Sequence, residues 1–122
     1  MDKTIIEDFA QEWISAWNSH DLNSHDLDEI LSHYADKIEY VSPLVIERYD
    51  DATGTITNKE KLKKYIATGL AANPKLKLEL VQVLLGVRGF VLYYKNARDR
   101  HSAEYFELND KQKVTKVIAT YS

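Results

Sequence analysis

Apolar residues recur at helical spacing over residues 4–18. Four of them stand four positions apart: Ile5, Phe9, Trp13 and Trp17. This spacing puts them along one face of a helix, so the segment is predicted to form an amphipathic first helix. Thr4 and Glu7 have the spacing of a capping box, which predicts that the helix begins there.

A five-residue segment, Asn-Ser-His-Asp-Leu, occurs twice in tandem at 18–22 and 23–27. After Asp26, apolar residues follow at helical spacing: Leu27, Ile30, Leu31 and Tyr34. Asp26 is also followed by Glu29, so the second copy is predicted to cap a second helix and the first copy to be a surface insertion. Asn58 is predicted to cap a third helix that ends before Asn73 and faces inward with four residues: Leu62, Tyr65, Ile66 and Leu70.

The pattern then changes to β-prone runs at 76–85, 90–95, 102–108 and 114–121. The segments between these runs have hairpin length, which predicts an antiparallel meander. An earlier run, 37–42, is expected to form a strand that Pro43 ends, and the polar residues 47–57 are expected to form a surface loop. Helices followed by strands indicate a single α+β domain over residues 1–122.

Composition excludes several classes of function. The chain has no cysteine, which removes disulfides, thiolate nucleophiles and Cys-based metal sites. Its net charge is -3 and it has no basic block, so nucleic acid is not expected as a partner. No apolar run approaches the roughly 20 residues needed to cross a bilayer, and no export signal is visible. We therefore expect a soluble, cytoplasmic protein without a membrane partner.

Short sequence phrases run through nearly the whole chain. They lie at residues 16–22, 34–36, 42–45, 70–74, 86, 93–94, 103–106 and 119–121. In this order and spacing they resemble the SnoaL-like or nuclear-transport-factor-2-like (NTF2-like) superfamily. The resemblance implies an NTF2-like cone, with three N-terminal helices packed in a strongly curved, mainly antiparallel sheet and an apolar pocket at one end.

The outer face of such a sheet needs cover, because Val91, Tyr93 and Tyr105 are expected to lie opposite the pocket. A homodimer formed through the sheet is therefore expected.

Within the superfamily, the chain is distantly similar to ketosteroid isomerases. In those enzymes a carboxylate before the first-strand proline moves a proton beside a carbonyl, but Ser42 occupies that position here. A serine hydroxyl without a neighbouring base is too weakly basic for this task near neutral pH. Trp13 stands where those enzymes have an oxyanion-donating tyrosine. Both differences argue against steroid isomerisation by that mechanism.

Glu104 matches an acid that those isomerases keep protonated to hydrogen-bond a developing enolate. Strand alternation puts it on an apolar face with Phe106 and Leu108, where a carboxyl must be neutralised, paired or hydrogen-bonded. Two alternatives are open. In one, Glu104 faces a cavity between Trp13 and Phe106 and has a raised pKa. In the other, it pairs with Lys95 or Arg98, or lies at a solvated dimer surface.

His33 is a second catalytic candidate, because it lies near the expected cone. The spacing of His20 and His25 follows from the duplication, so no metal site is expected. Seven residues are candidates to line a pocket for a small apolar or aromatic ligand, although each is equally compatible with an ordinary core: Trp13, Trp17, Tyr40, Ser42, Tyr94, Phe106 and Tyr121.

Two hypotheses for the function follow. In the first, the chain is a cofactor-independent isomerase- or cyclase-type enzyme that acts by proton transfer on an apolar carbonyl compound, with Glu104 as the acid or base. In the second, it is a non-catalytic ligand-binding or dimerisation module. The absence of a carboxylate at Ser42 favours the second hypothesis.

Overall fold

The computed structural model describes residues 2–19 and 24–122. Its first helix, α1, spans Lys3–Asn18 and buries one face, which includes Ile6, Phe9 and Trp13. The predicted capping box at Thr4 is wrong, because the Asp2 carboxylate caps the helix by accepting a 2.8 Å hydrogen bond from the Thr4 backbone N–H. The predicted helix itself is present and starts one residue earlier.

The second helix, α2, spans Ser24–Leu31. Because the helix already includes Ser24, Asp26 lies within its first turn, and the prediction that Asp26 caps it is wrong. Tyr34 does not continue this helix but begins the first strand, β1, which spans Tyr34–Val41. Most of the first copy of the duplication, residues 20–22, lies outside the described residues.

The segment after β1 holds a helix and a strand that the sequence patterns did not predict. Helix α3 spans Pro43–Tyr49, and strand β2 spans Thr55–Asn58. Ser42 is the N-cap of α3, since its hydroxyl accepts a 3.2 Å hydrogen bond from the Leu44 backbone N–H. Proline suits the first helical position, where its missing N–H has no intrahelical partner to lose. Residues 47–57 are therefore not simply a surface loop.

The next helix, α4, spans Lys59–Ala72 and agrees with the prediction. The Asn58 side-chain oxygen caps it by accepting a 2.8 Å hydrogen bond from the Lys61 backbone N–H. The four residues predicted to face inward are all buried: Leu62, Tyr65, Ile66 and Leu70. Local sequence signals were sufficient to predict this helix, because its cap and its apolar face both lie within one short segment of the chain.

Four further strands complete the sheet: β3 (Leu78–Leu85), β4 (Phe90–Asn96), β5 (His101–Leu108) and β6 (Val114–Tyr121). The strand order is β2-β1-β6-β5-β4-β3. Strands β3 to β6 form the predicted antiparallel meander, and β1 pairs with β2 antiparallel and with β6 parallel. The α+β class with a curved, open and mainly antiparallel sheet is thus confirmed. In residues 2–19 and 24–122 the structure also has α3, a helix that was not among those predicted.

Helix α1 packs against the inner face of the sheet. The Phe9 ring meets Phe90 and Phe106 edge-on, with centroids 5.5 and 5.9 Å away, and Trp13 packs on Tyr94 at 5.5 Å. This packing closes one side of the cone and puts Trp13 beside the inner side chains of β4. None of the helices in the described ranges has the length and apolar character to span a bilayer.

Candidate functional site

A cavity of about 270 Å³ lies between the helices and the inner face of the sheet. Its volume is near the lower end of the roughly 300–1,000 Å³ typical of small-molecule sites. Five residues named from the sequence line it: Trp13, Trp17, Tyr40, Tyr94 and Tyr121. The Glu104 side chain, on the middle of β5, lines the same cavity.

Two predicted pocket residues lie outside the cavity wall. Phe106 is fully buried and stacks on Phe90, with 5.5 Å between ring centroids, so it belongs to the core. Ser42 is buried too, where it caps α3 and lies with its hydroxyl oxygen 3.5 Å from that of Tyr65. Glu104 and Trp13 line the cavity as expected, whereas Phe106 packs against Phe9 and Trp13 of α1 and is not part of the cavity wall.

Glu104 is 3% exposed, and its Oε2 accepts a 2.9 Å hydrogen bond from the Tyr94 hydroxyl. Within the described ranges, no lysine, arginine or histidine forms an ion pair with it. Lys95, proposed above as a partner, instead pairs with Glu79 at 3.3 Å. Within the described residues, Glu104 is therefore neither ion-paired nor solvent-exposed, and both of those alternatives are excluded.

Burial raises the pKa of Glu104 from its ordinary value of 4.5 to about 7, and the hydrogen bond from Tyr94 acts in the opposite direction. A buried carboxyl without a cationic partner disfavours its charged form. Protonated and ionised forms of Glu104 therefore coexist near neutral pH. This is the range in which a carboxyl both gives and takes a proton readily.

Tyrosine hydroxyls surround this carboxyl. Burial is the largest cause that raises the pKa of each of four tyrosines above the ordinary phenol value, and the negative charge of Glu104 also raises it: Tyr34, Tyr40, Tyr94 and Tyr121. These phenols stay protonated at neutral pH and act as neutral hydrogen-bond donors. Three of them line the cavity. The Tyr94 O–H already donates to Glu104, so Tyr40 and Tyr121 are the cavity phenols that can offer an O–H donor to a ligand carbonyl.

The two tryptophans of α1 contribute mainly apolar wall. The Trp13 indole N–H donates a 3.2 Å hydrogen bond to the buried Tyr34 hydroxyl, so it is already committed. Among the described residues, no acceptor lies within hydrogen-bond distance of the buried Trp17 Nε1 atom. Its N–H is still close enough to the Tyr34 hydroxyl to lower the pKa of Tyr34. Trp13 therefore does not replace an oxyanion-donating tyrosine at this site.

His33 does not line the cavity. Its ring meets Phe9 edge-on, with 5.7 Å between centroids, and burial lowers its pKa. Glu104 and His33 therefore do not meet at one site. In the parts of the chain that the structure describes, no group of three or more His, Asp or Glu side chains is placed to hold a metal ion, and the side chains of His20 and His25 lie outside those parts.

Sequence reasoning missed several cavity residues: Arg48, Tyr65, Asn73, Asn96 and Arg100. Arg48 lies on α3, which the patterns did not predict, so its position had no signal. Tyr65 was predicted to face inward from α4 but was not named as a pocket residue, although the inward prediction was a signal that could have identified it. The guanidinium carbon of Arg48 lies 5.0 Å from the centre of the Tyr65 ring.

The fold has a close counterpart among solved structures. A SnoaL-like protein of unknown function from Burkholderia thailandensis is 34% identical to this chain, with a TM-score of 0.90. The alignment covers 99% of this chain and 97% of that one. The chain therefore belongs to the SnoaL-like family.

More distant structures share the fold. A proposed isomerase of the SnoaL-like family from Agrobacterium tumefaciens has a TM-score of 0.76 at 14% identity, with 98% of each chain covered. A proposed ketosteroid isomerase from Kribbella flavida has a TM-score of 0.68 at 13% identity, covering 98% of this chain and 78% of that one. No protein-family model matches the chain, and no curated protein matches it.

Proposed function

We propose that this protein binds a small apolar carbonyl compound in the cavity and that Glu104 moves a proton on it. The observation that carries the proposal is the Glu104 carboxyl, which is buried at the cavity, hydrogen-bonded by Tyr94 and free of any ion pair in the described chain. Its pKa of about 7 supports both proton uptake and proton release at neutral pH.

The proposed step is an enolisation. The Glu104 carboxylate removes a proton from the carbon beside the ligand carbonyl, the C–H electron pair becomes the C=C bond, and the carbonyl π pair moves to oxygen. A phenol O–H from Tyr40 or Tyr121 donates a hydrogen bond to that oxygen. Glu104 then returns the proton to carbon, so no oxidant, reductant or cofactor enters the balance.

A second candidate function is ligand binding without chemistry. Two observations favour it: His33 lies outside the cavity, and Ser42 serves as a helix cap, so neither residue provides a second acid or base beside Glu104. The cavity would then hold an apolar effector, with Glu104 donating a hydrogen bond to its carbonyl.

Deuterium exchange distinguishes the two candidates. The probe is 4-acetylbenzamide in D₂O, whose acetyl protons are followed by NMR with and without the protein. The enzyme hypothesis predicts accelerated exchange that Glu104→Gln lowers on the order of 100-fold while binding persists. Binding without accelerated exchange in the wild-type protein would favour the second candidate.

A matched control lies on the same strand. Glu107 accepts a 2.8 Å hydrogen bond from the Tyr105 hydroxyl on the outer face of β5, much as Glu104 does from Tyr94 on the inner face. Glu107→Gln is therefore expected to leave the exchange rate unchanged. Equal losses in the two variants would contradict the assignment of the reaction to Glu104.

The outer face of the sheet supports a proposed homodimer. Leu84, Val91, Tyr105 and Ile118 are successive register partners across β3, β4, β5 and β6. Leu84 is 46% exposed and Ile118 is 38% exposed. An exposed apolar row across four strands is expected to be buried by the same face of a second copy of the chain.

A further inference from the structure

Two arginines line the cavity that holds Glu104. Arg48 comes from α3, and Arg100 comes from the turn between β4 and β5. Within the described ranges, neither forms an ion pair with a carboxylate. An arginine keeps its charge at all relevant pH values, whereas Glu104 is only partly ionised near pH 7. Both arginines are exposed, so the solvent-facing part of the cavity wall carries an excess of positive charge.

Arg48 is held in place by packing. Its Nη1 donates a 3.2 Å hydrogen bond to the Tyr65 backbone carbonyl, and its guanidinium lies over the ring of the same tyrosine. Gly69, inside α4, leaves the space that the guanidinium needs, because a Cβ there would lie 3.1 Å from Nη1. Glycine is unfavourable inside a helix, and the close approach of the Arg48 guanidinium gives a steric reason for glycine at this position.

Arg100 is placed by the geometry of its turn. The Asn96 side-chain oxygen accepts hydrogen bonds from the backbone N–H groups of Arg98 and Arg100, at 2.9 and 3.0 Å. The Asn96 backbone N–H in turn donates to the Arg100 carbonyl at 3.0 Å. Of the two arginines in this turn, Arg100 lines the cavity and Arg98 does not.

From these positions we propose that Arg48 and Arg100 form an anion subsite that holds a carboxylate of the ligand. The inference rests on the proposed function and narrows the substrate class to an apolar carbonyl compound that also carries a carboxylate. The apolar body contacts Trp13 and Trp17, its carbonyl lies at Glu104, and its carboxylate accepts hydrogen bonds from the arginines. A guanidinium group can pair with a carboxylate through two parallel N–H donors, one to each carboxylate oxygen.

The test compares two probes that differ in charge at one end. 4-Acetylbenzoate and 4-acetylbenzamide have the same ring and the same ketone, and calorimetry measures the affinity of each. The wild-type protein is expected to prefer the carboxylate by a factor of about ten or more. Arg48→Gln and Arg100→Gln are each expected to reduce that preference, with little effect on the affinity for the amide.

Arg98→Gln is the matched control, because it removes the same charge from the same turn without touching the cavity wall. Gly69→Ala tests whether the position of the Arg48 guanidinium matters, because both arginines remain in this variant. It is expected to weaken binding of the carboxylate probe although alanine stabilises the helix. Glu104→Gln is expected to keep the preference for the carboxylate probe. Loss of deuterium exchange therefore tests the proposed function, and loss of the carboxylate preference tests the anion subsite. Three results would each overturn the proposed subsite. The wild-type protein could bind the two probes with equal affinity, or it could show no measurable binding of the carboxylate. Alternatively, Arg98→Gln could reduce the carboxylate preference as much as Arg48→Gln and Arg100→Gln do.

Discussion

Tyr94 and Glu104 lie diagonally across the β4–β5 pair and are joined by a 2.9 Å hydrogen bond on the inner face. Glu104 is opposite Leu92, whereas Tyr94 is opposite Ser102. The bond gives the buried carboxyl one donor but no neutralising charge. It therefore orients Glu104 towards the cavity while leaving its proton affinity high.

The first prediction concerns the pH dependence of stability. The folded protein keeps a proton on Glu104 up to about pH 7, whereas the unfolded chain releases it from about pH 4.5. Between these values the folded state binds more protons, so raising the pH lowers the free energy of unfolding. The contribution of this group is about 3 kcal/mol at full ionisation.

Glu104→Gln removes this dependence. Relative to the wild-type protein, the variant is expected to gain stability from about pH 4.5 to about pH 7 and to level off above that, as measured by urea unfolding at a series of pH values. His33 is present in both proteins, so its titration cancels in the difference. Glu107→Gln is expected to follow the wild-type curve. A difference between Glu104→Gln and wild type that stays constant with pH would contradict a raised pKa.

The second prediction concerns the Tyr94 hydroxyl. Tyr94→Phe removes the donor that favours the ionised carboxyl, so the pKa of Glu104 is expected to rise further, by about one unit. The side-chain carboxyl carbon of Glu104 reports this shift in an NMR titration. Tyr105→Phe removes the equivalent bond to Glu107 on the outer face and is expected to leave the Glu104 midpoint in place. A lower midpoint in Tyr94→Phe would refute the role given to this bond.

The third prediction concerns the end of α1. The Asn18 side-chain amide donates to the Leu78 carbonyl at 2.9 Å, and the Leu78 backbone N–H donates to the amide oxygen at 2.7 Å. Asn18→Ala removes both bonds and is expected to lower the free energy of unfolding by about 1–3 kcal/mol. Asn18→Asp retains the acceptor and should cost less.

Deletion of residues 18–22 provides a contrast, because the duplicate supplies an asparagine after Trp17. The pair of bonds to Leu78 can then form again. The buried residues Ile30 and Leu31 lie in the second half of α2, so the fold is expected to persist with a shorter helix. Thermal unfolding and yield of soluble protein measure this. A deletion less stable than Asn18→Ala would show that the extra five residues pack against the domain.

The fourth prediction concerns the outer face of the sheet. Light scattering is expected to give the mass of a dimer at micromolar concentration, and Ile118→Lys is expected to give a monomer, because it puts a charge into the apolar row. Val87→Lys is the control, since Val87 is 95% exposed at the β3–β4 turn and lies outside that row. A wild-type monomer, or a dimer that survives Ile118→Lys, would contradict the proposed interface.

The sequence by itself determined the parts of this protein that depend on local periodicity. The Asn58 cap and the inward residues of α4 lie within 13 positions, and the meander follows from alternating strands with short turns. Alternation also placed Glu104 on the inner face of β5 with Phe106, and both are buried there. These features depend only on neighbours in the chain, so a periodic pattern is enough to predict them.

Only the tertiary structure decided how those faces meet. The sequence did not show that Ser42 and Pro43 start a helix, that β1 pairs with β6 in parallel, or that Phe106 fills the core while Glu104 reaches the cavity. Arg48 reaches the cavity wall because α3 carries it to Gly69 on α4, 21 residues away in the chain. A cavity is space that chain-distant side chains leave unfilled, and the shape of that space depends on packing between elements rather than on the pattern within any one of them.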